Sequence, residues 1–414
     1  MKELQDPAQR LSLAQARLGG TAKAIALQDV IALGLDEVPE EVQKAFYALG
    51  AFAPKPASFS LQAAEVVTLT DEEPLEWLVQ RNLLDVVSLP DIVEAQLTLH
   101  QVLADAARAR MPASAQLLHG AYYLDLVNED RQDWRKIDTA YAQIRWAWDH
   151  WPDDIILPWV WVLHEHQYTR GLWRDLLAWN QRALPIVRAD GQKKQEARVL
   201  NTLGWAQAAL GQREKALTNL ELALRIREEE GDRAGVATTL TDIGLVYQQL
   251  RCLDKALEYY QRALPISEEI SDLSGMSRVL NNIGTIYMAL NQPGEALNYL
   301  PRALSIREEL NWQLGVATTL SNIGGAYMAL GRRDEAIDCC HRALTITEEL
   351  GYRAGEIGVR RLLARLHYDE GNLSAAVTIL RRAYDLASAI NSPDLAEVES
   401  VLAQYKSELA AEES

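Results

Sequence analysis

From about Arg198 onward, the hydrophobic positions of this chain recur in a pattern with a period of forty residues. Leu203-Gly204, Ile243-Gly244, Ile283-Gly284 and Ile323-Gly324 fall in register, and so do Ala216, Ala256, Ala296, Ala336 and Ala376. A third series agrees: Ala223, Ala263, Ala303, Ala343 and Ala383. Within each copy the apolar residues follow helical spacing, and small residues held at one period mark close crossings of stacked helical hairpins. The spacing predicts five repeats, 197–236, 237–276, 277–316, 317–356 and 357–396. A degenerate copy precedes them at 157–196, where Leu176 stands at the small-residue position, and a capping helix follows. Pro185, Pro265 and Pro301 fall inside second helices, where bends are expected.

The N-terminal third has a different pattern. Leu11, Leu18, Ile25 and Leu33 give a helical lead-in over 1–34, with Gly19-Gly20 as a break. Between 35 and 111 the pattern gives a helix behind Pro39, a second capped by Ser60, and a third opened by a Thr70/Glu73 capping box. LLDVVSL and AQLTL flank Pro90-Asp91 as a two-stranded hairpin, and a helix from about His100 to Arg110 closes the segment. Three helices and a hairpin predict a winged helix at 35–111. Two long amphipathic helices over 112–156 connect it to the array. The fold class expected is mainly α: a winged helix with a small β-hairpin, then a right-handed α-solenoid.

Composition narrows the function. The 414 residues are 48% hydrophobic, with a formal net charge of -17. Residues 35–111 hold 13 acidic and 5 basic residues, a balance of -8, and the third helix opens on Asp71-Glu72-Glu73. Such a surface repels phosphates, so no nucleic-acid partner is expected, nor an anionic membrane. The three cysteines, Cys252, Cys339 and Cys340, show no metal-site spacing and suit a reducing compartment. MKELQDPAQR lacks a signal-peptide core and no run reaches membrane-span length, so a cytoplasmic location is expected. Catalytic motifs do not occur: there is no GxSxG, no HExxH, and no GxxxxGK[ST], since LGGTAKAI lacks the phosphate-loop spacing. An enzyme is not expected. Nine of the eleven tryptophans lie between Trp134 and Trp205, as a packing cluster or, alternatively, an aromatic cage.

The repeats, with their forty-residue period, resemble tetratricopeptide repeats in the longer form of kinesin light chains, with the extra residues expected in the second helix and the loop after it. The stretches VPEEVQKAFYALGAFAPKPASFSLQAAEVV, LEWLVQRNLLDVV and LTLHQVLADAARARM, followed by AYYLDLVNED and WRKIDTAYAQIRWAWDHW, resemble the winged helix and helical connector of bacterial STAND signal-transduction ATPases of the NB-ARC type. That resemblance implies a sensor and autoinhibitory region that binds a peptide, protein or small-molecule inducer in its repeat groove and is coupled to a nucleotide-binding domain upstream, with ADP or ATP held only by that missing domain and no cofactor in this chain. It also implies a nucleotide contact from His100, although Leu99-His100-Gln101 departs from the family's Met-His-Asp at the first and third positions.

Candidate binding residues lie on the first helices, whose inner face a curved stack presents to partners. Asn201, Asp242, Asn281, Asn282 and Asn322 form an amide and carboxylate ladder suited to the backbone of an extended peptide. Arg198, Arg278, Arg361 and Arg365 add grip on acidic groups, and Trp205, Met288 and Met328 supply an apolar floor. The bland alternative is that the amides bond between neighbouring helices. On the binding reading, replacing Asn281, Asn282 and Asn322 by Ala abolishes capture with melting nearly unchanged. A stand-alone peptide or protein scaffold is the alternative function, and a DNA-binding regulator is disfavoured by charge. The acidic pairs Glu228-Glu229, Glu268-Glu269, Glu308-Glu309 and Glu348-Glu349 read as a solvated rim.

Overall fold

A computed structural model describes Leu35 and residues 38–88, 95–129, 133–390 and 392–412. The lead-in over 1–34 and the Pro90-Asp91 turn lie outside the described residues. The chain divides into two compact units, 1–190 and 191–414.

In the first unit, α1 (Glu40–Ala48) starts behind Pro39 and β1 (Phe59–Ser60) leads into α2 (Leu61–Thr68). As the sequence indicates, the Ser60 hydroxyl accepts the Ala63 N–H at 3.1 Å and caps α2. The expected capping box does not form: α3 (Glu72–Gln80) has Asp71 at its N-cap, while the Thr70 hydroxyl is 2.7 Å from that of Thr68. Strands β2 (Asp85–Val87) and β3 (Gln96–Thr98) make the expected hairpin, and β1 joins β3 on its other side. The register pairs Leu97 with both Phe59 and Val86. Two-residue β1 is too short to show alternation, so the sequence gives no sign of this third strand. Next, α4 (Gln101–Arg108) is capped by the His100 Nδ1, which accepts the Val102 N–H at 3.3 Å.

The connector helices are α5 (Ala113–Glu129) and α6 (Trp134–His150). Fully buried Gln143 of α6 accepts the Ala53 N–H at 2.8 Å and donates to the carbonyls of Ala53 at 3.3 Å and Ser58 at 3.2 Å. Two main-chain carbonyls and one N–H of the segment between α1 and β1 thereby find partners that no secondary structure supplies. The helices α7 (Leu157–Thr169) and α8 (Trp173–Ala189), the expected degenerate repeat, belong to this first unit. Four of the tryptophans form core: Trp148 stacks on Trp179 at 4.2 Å, Trp151 meets Trp159 edge-on at 5.7 Å, and all four rings are buried, while Trp134 is exposed.

The second unit is five helical hairpins and a closing helix. The hairpins are α9 (Lys193–Ala209) with α10 (Arg213–Glu229), α11 (Arg233–Gln249) with α12 (Leu253–Glu269), α13 (Leu273–Ala289) with α14 (Pro293–Glu309), α15 (Gln313–Ala329) with α16 (Arg333–Glu349), and α17 (Arg353–Asp369) with α18 (Leu373–Ala389); α19 (Leu395–Glu412) ends the array. Each hairpin helix has 17 residues and each turn between them three. The forty-residue repeat is therefore two equal halves, which corrects the expectation of a lengthened second helix and loop. The physical reason is one turn geometry used throughout. A residue in the left-handed region, such as Gly211, Gly231, Arg251 or Asn291, recurs every twenty residues, and the next N–H closes back on the helix, as Gln212 does on the Gln207 carbonyl at 2.8 Å.

The glycines of the first helices mark the crossings. A Cβ on Gly204 would lie 2.5 Å from Leu220, one on Gly244 2.6 Å from Tyr260, and one on Gly284 2.5 Å from Leu300. Along the second helices, Arg302 pairs with Glu268 and Arg342 with Glu308, both at 3.0 Å, and Arg262 approaches Glu228 at 3.9 Å. The first member of each acidic pair thus tethers neighbouring hairpins, a refinement of the solvated-rim reading, though half-exposed pairs of this kind add little stability.

Candidate functional site

The first helices of successive hairpins are joined by a polar network. Arg227, near the end of α10, donates through Nη1 to the Gly235 carbonyl at 2.7 Å, the Thr239 hydroxyl at 2.6 Å and Asn201 Oδ1 at 3.3 Å. One guanidinium therefore ties α9, α10 and α11 together. Asn201 then donates through Nδ2 to Asp242 at 2.7 Å. Burial pushes the Asp242 carboxyl up, while the Arg278 and Arg227 charges and hydrogen bonds from Asn201 and Trp205 hold it down.

Eighty residues later the same network recurs around Asn281. Arg307 donates to the Gly315 carbonyl at 2.9 Å, the Thr319 hydroxyl at 2.5 Å and Asn281 Oδ1 at 3.4 Å. The intervening hairpin carries Ser267 and Val279 where Arg and Thr would be needed, so the polar unit repeats every second hairpin. The two copies differ in charge. Arg227 feels Asp232 and Asp242, whereas Arg307 is 4% exposed with neutral acceptors and the Trp312 ring 4.8 Å away, and burial alone pushes its pKa down to about 10.

The sequence-derived residues divide accordingly. Asn201, Asp242 and Asn281 are buried between helices, and Asn322 donates to Asn281 Oδ1 at 3.1 Å. Asn282 is half-buried and bonds Tyr260. Trp205, Arg278, Met288 and Met328 are half-buried along the first helices, and Arg198 is exposed. Arg361 pairs with Glu397 of α19, and Arg365 with Asp369 at 2.9 Å, so both are engaged within the array's last turns. Exposed His100 caps α4. Sequence reasoning missed Arg227, Arg307, Thr239 and Thr319. Their signal was the alternation Arg227, Ser267, Arg307, Thr347, which only an eighty-residue comparison exposes.

Among the described residues no cluster of metal-ligating side chains occurs, and no helix is long and apolar enough to cross a membrane.

Residues 235–309 and 315–389 match a tetratricopeptide repeat family profile, and 197–230 match a second one. No curated protein matches the sequence. Among solved structures, the chain is similar to a Signal Transduction ATPase with Numerous Domains (STAND) protein with a tetratricopeptide repeat sensor from Pyrococcus horikoshii, at 15% identity and TM-score 0.64 over 96% of this chain. The chain spans 63% of that protein's length. A Rap protein complexed with competence and sporulation factor is similar at 14% identity and TM-score 0.51, covering 93% of this chain and 99% of its own. The apo form of RapI gives 18% identity and TM-score 0.51, covering 66% and 98%. At these identities the likeness is one of fold. Profile matches and hairpin geometry together establish that residues 197–389 are built of tetratricopeptide repeats.

Proposed function

We propose that this chain is the non-catalytic sensor region of a STAND-type signalling protein, which takes a peptide or protein ligand on the face of its first helices and couples it to a winged helix at 35–111. The observation that carries the reading is the order of parts in one chain: helix, strand, two helices, hairpin, a further helix, connector helices, then repeats whose first helices present half-buried Arg278, Asn282 and Met288. The likeness to a STAND protein with a repeat sensor supports this order, and the likeness in fold to a Rap protein complexed with competence and sporulation factor supports ligand capture by such a fold. On this reading an upstream nucleotide-binding domain supplies the ATPase, His100 lies toward its nucleotide, and the site of action is the cytoplasm. The acidic balance of 35–111 speaks against DNA reading.

Ligand must bind one placement of the parts better than another for coupling to occur. Hydrogen exchange on the chain, with and without a peptide selected from a displayed random library, tests it. Protection of 273–289 and 313–329 with altered exchange within 38–111 is expected. Protection of the repeats alone would favour a stand-alone scaffold, and protection confined to second helices would contradict the ligand-binding reading.

A further inference from the structure

We infer that the turns leading into α15 and α17 form a docking ridge for a basic amphipathic helix of a partner protein. The ridge stands at one edge of the array, apart from the mid-helix residues proposed above to take ligand, such as Arg278 and Asn282.

The same turn is built in two ways along the array. Before α11 and α13 the N-cap is an aspartate: Asp232 accepts the Gly235 N–H at 3.0 Å, and Asp272 the Gly275 N–H at 2.9 Å. At the corresponding positions before α15 and α17 stand Trp312 and Tyr352, and neither caps its helix through a side chain. Each ring lies over the glycine that an aspartate would have capped: a Cβ on Gly315 would be 2.7 Å from Trp312, and one on Gly355 2.3 Å from Tyr352. Two helices thus forgo a stabilising cap for a large aromatic side chain, and the fold does not hide the ring in return. Trp312 is 41% and Tyr352 39% exposed, while Leu310 and Leu350, two residues earlier, are 40% and 49% exposed. Their counterparts at the first two turns are Glu230 and half-buried Ile270. Because α15 and α17 pack side by side, the two turns present adjoining apolar rows. Exposed leucines and aromatics gathered at the expense of helix caps mark an interaction surface.

Charge and spacing identify the occupant. Beside the ridge, α14 and α16 end on Glu309 and Glu349, both exposed and neither in an ion pair among the described residues, whereas Glu308 and Glu348 are engaged by Arg342 and Arg360. Exposed Arg353 offsets only part of this charge, and the chain's balance of -17 adds to it. Basic groups are therefore drawn to the flanks of the ridge, while a second copy of this chain, carrying the same free carboxylates, or an anionic membrane would be repelled. Packed helices stand about 8–10 Å apart, and two turns of an α-helix advance about 10.8 Å. A partner helix laid across the edge accordingly sets apolar side chains at i and i+7 on Trp312 and Tyr352, with lysines or arginines beside them facing Glu309 and Glu349.

Fluorescence anisotropy of labelled peptides of about 18 residues, five helical turns, titrated with the full chain at physiological salt, tests the assignment. The probes are a leucine–lysine peptide with leucines at helical period, the same composition with that period scrambled, and a leucine–glutamate peptide with the period kept. The first is expected to bind about tenfold or more tighter than either of the others. Trp312→Asp combined with Tyr352→Asp restores at both turns the cap made by Asp232 and Asp272. This double variant is expected to weaken the first probe about tenfold or more while the melting temperature holds or rises. Added carboxylates would strengthen a mere charge attraction to lysine, so such a loss reads the apolar ridge itself. Equal binding of the first two probes, a preference for the glutamate peptide, binding by none, or a double variant that binds like the wild type each overturns the ridge. A melting temperature that falls by several degrees in the double variant assigns the rings to the fold and overturns it too. Co-sedimentation with lipid vesicles, or a wild-type dimer in sedimentation velocity, that the double variant loses would give the edge to a membrane or a second copy instead, and either result overturns the partner helix.

Discussion

The side chain of Asn322 donates to Asn281 at 3.1 Å, in the position where Asp242 accepts from Asn201 at 2.7 Å eighty residues earlier. One network is neutralised from within and the other is not, yet each holds three helices through one guanidinium, half-buried at Arg227 and buried at Arg307. Removing the acceptor should therefore be felt in stability. Asn201→Ala and Asn281→Ala are each expected to destabilise the second unit by about 1–3 kcal/mol, because each strips an acceptor from an arginine, half-buried at Arg227 and buried at Arg307. Urea unfolding followed by circular dichroism measures the shift. For Asn281 this replaces the expectation of unchanged melting drawn from the sequence; Asn282, half-buried, retains it.

Arg251 holds φ +60° in a turn where Gly211 and Gly331 hold the same region. An L side chain costs about 1 kcal/mol there, which glycine avoids. Arg251→Gly should raise the unfolding free energy by about that amount, and Gly211→Ala should lower it similarly. Thermal melts of both variants, read side by side, check the sign.

Glycines inside the first helices serve two ends. Gly204→Ala would drive a Cβ to 2.5 Å from Leu220, and overpacking of that kind costs about 1–3 kcal/mol. Gly358 meets nothing within 4 Å, so Gly358→Ala should stabilise by about 0.5–1 kcal/mol through helix propensity alone. Differential scanning calorimetry resolves opposite shifts.

Fully buried His119 has its Nε2 3.2 Å from Gln143 Oε1, and burial lowers its pKa to about 3, the Gln143 hydrogen bond opposing. The ordinary value is 6.5, so the unfolded chain takes up this proton first as pH falls. Stability from this group is complete above about pH 6.5 and is lost toward pH 3, by about 2 kcal/mol at pH 5. Urea midpoints between pH 7 and pH 5 should fall in the wild type and fall less in His119→Gln.

Much of this was legible in the sequence. Ile283-Gly284 and the alanine series fix the hairpins because close crossings tolerate nothing larger, and Ser60 announces its cap because a hydroxyl there has one local use. Two features were not legible. The third strand at Phe59–Ser60 is defined by a partner almost forty residues away, and the equal turns depend on Arg251, Ser271, Asn291 and Asn311 adopting a conformation that glycine normally signals. Within the candidate site, the ladder of Asn201, Asn281 and Asn322 was visible, but its use as helix ties depended on Arg227 and Arg307, which lie on second helices and show no forty-residue period.

The central claim is that ligand engages the first helices of the repeats. It is tested most directly by the affinity of a library-selected peptide for the wild-type chain, for the triple variant Arg198→Ala, Asn282→Ala, Thr285→Ala, and for Arg302→Ala with Arg342→Ala on the second helices. A loss of about tenfold or more in the first variant, with the second unchanged, is the result predicted. Unchanged affinity in the first and loss in the second would contradict the account.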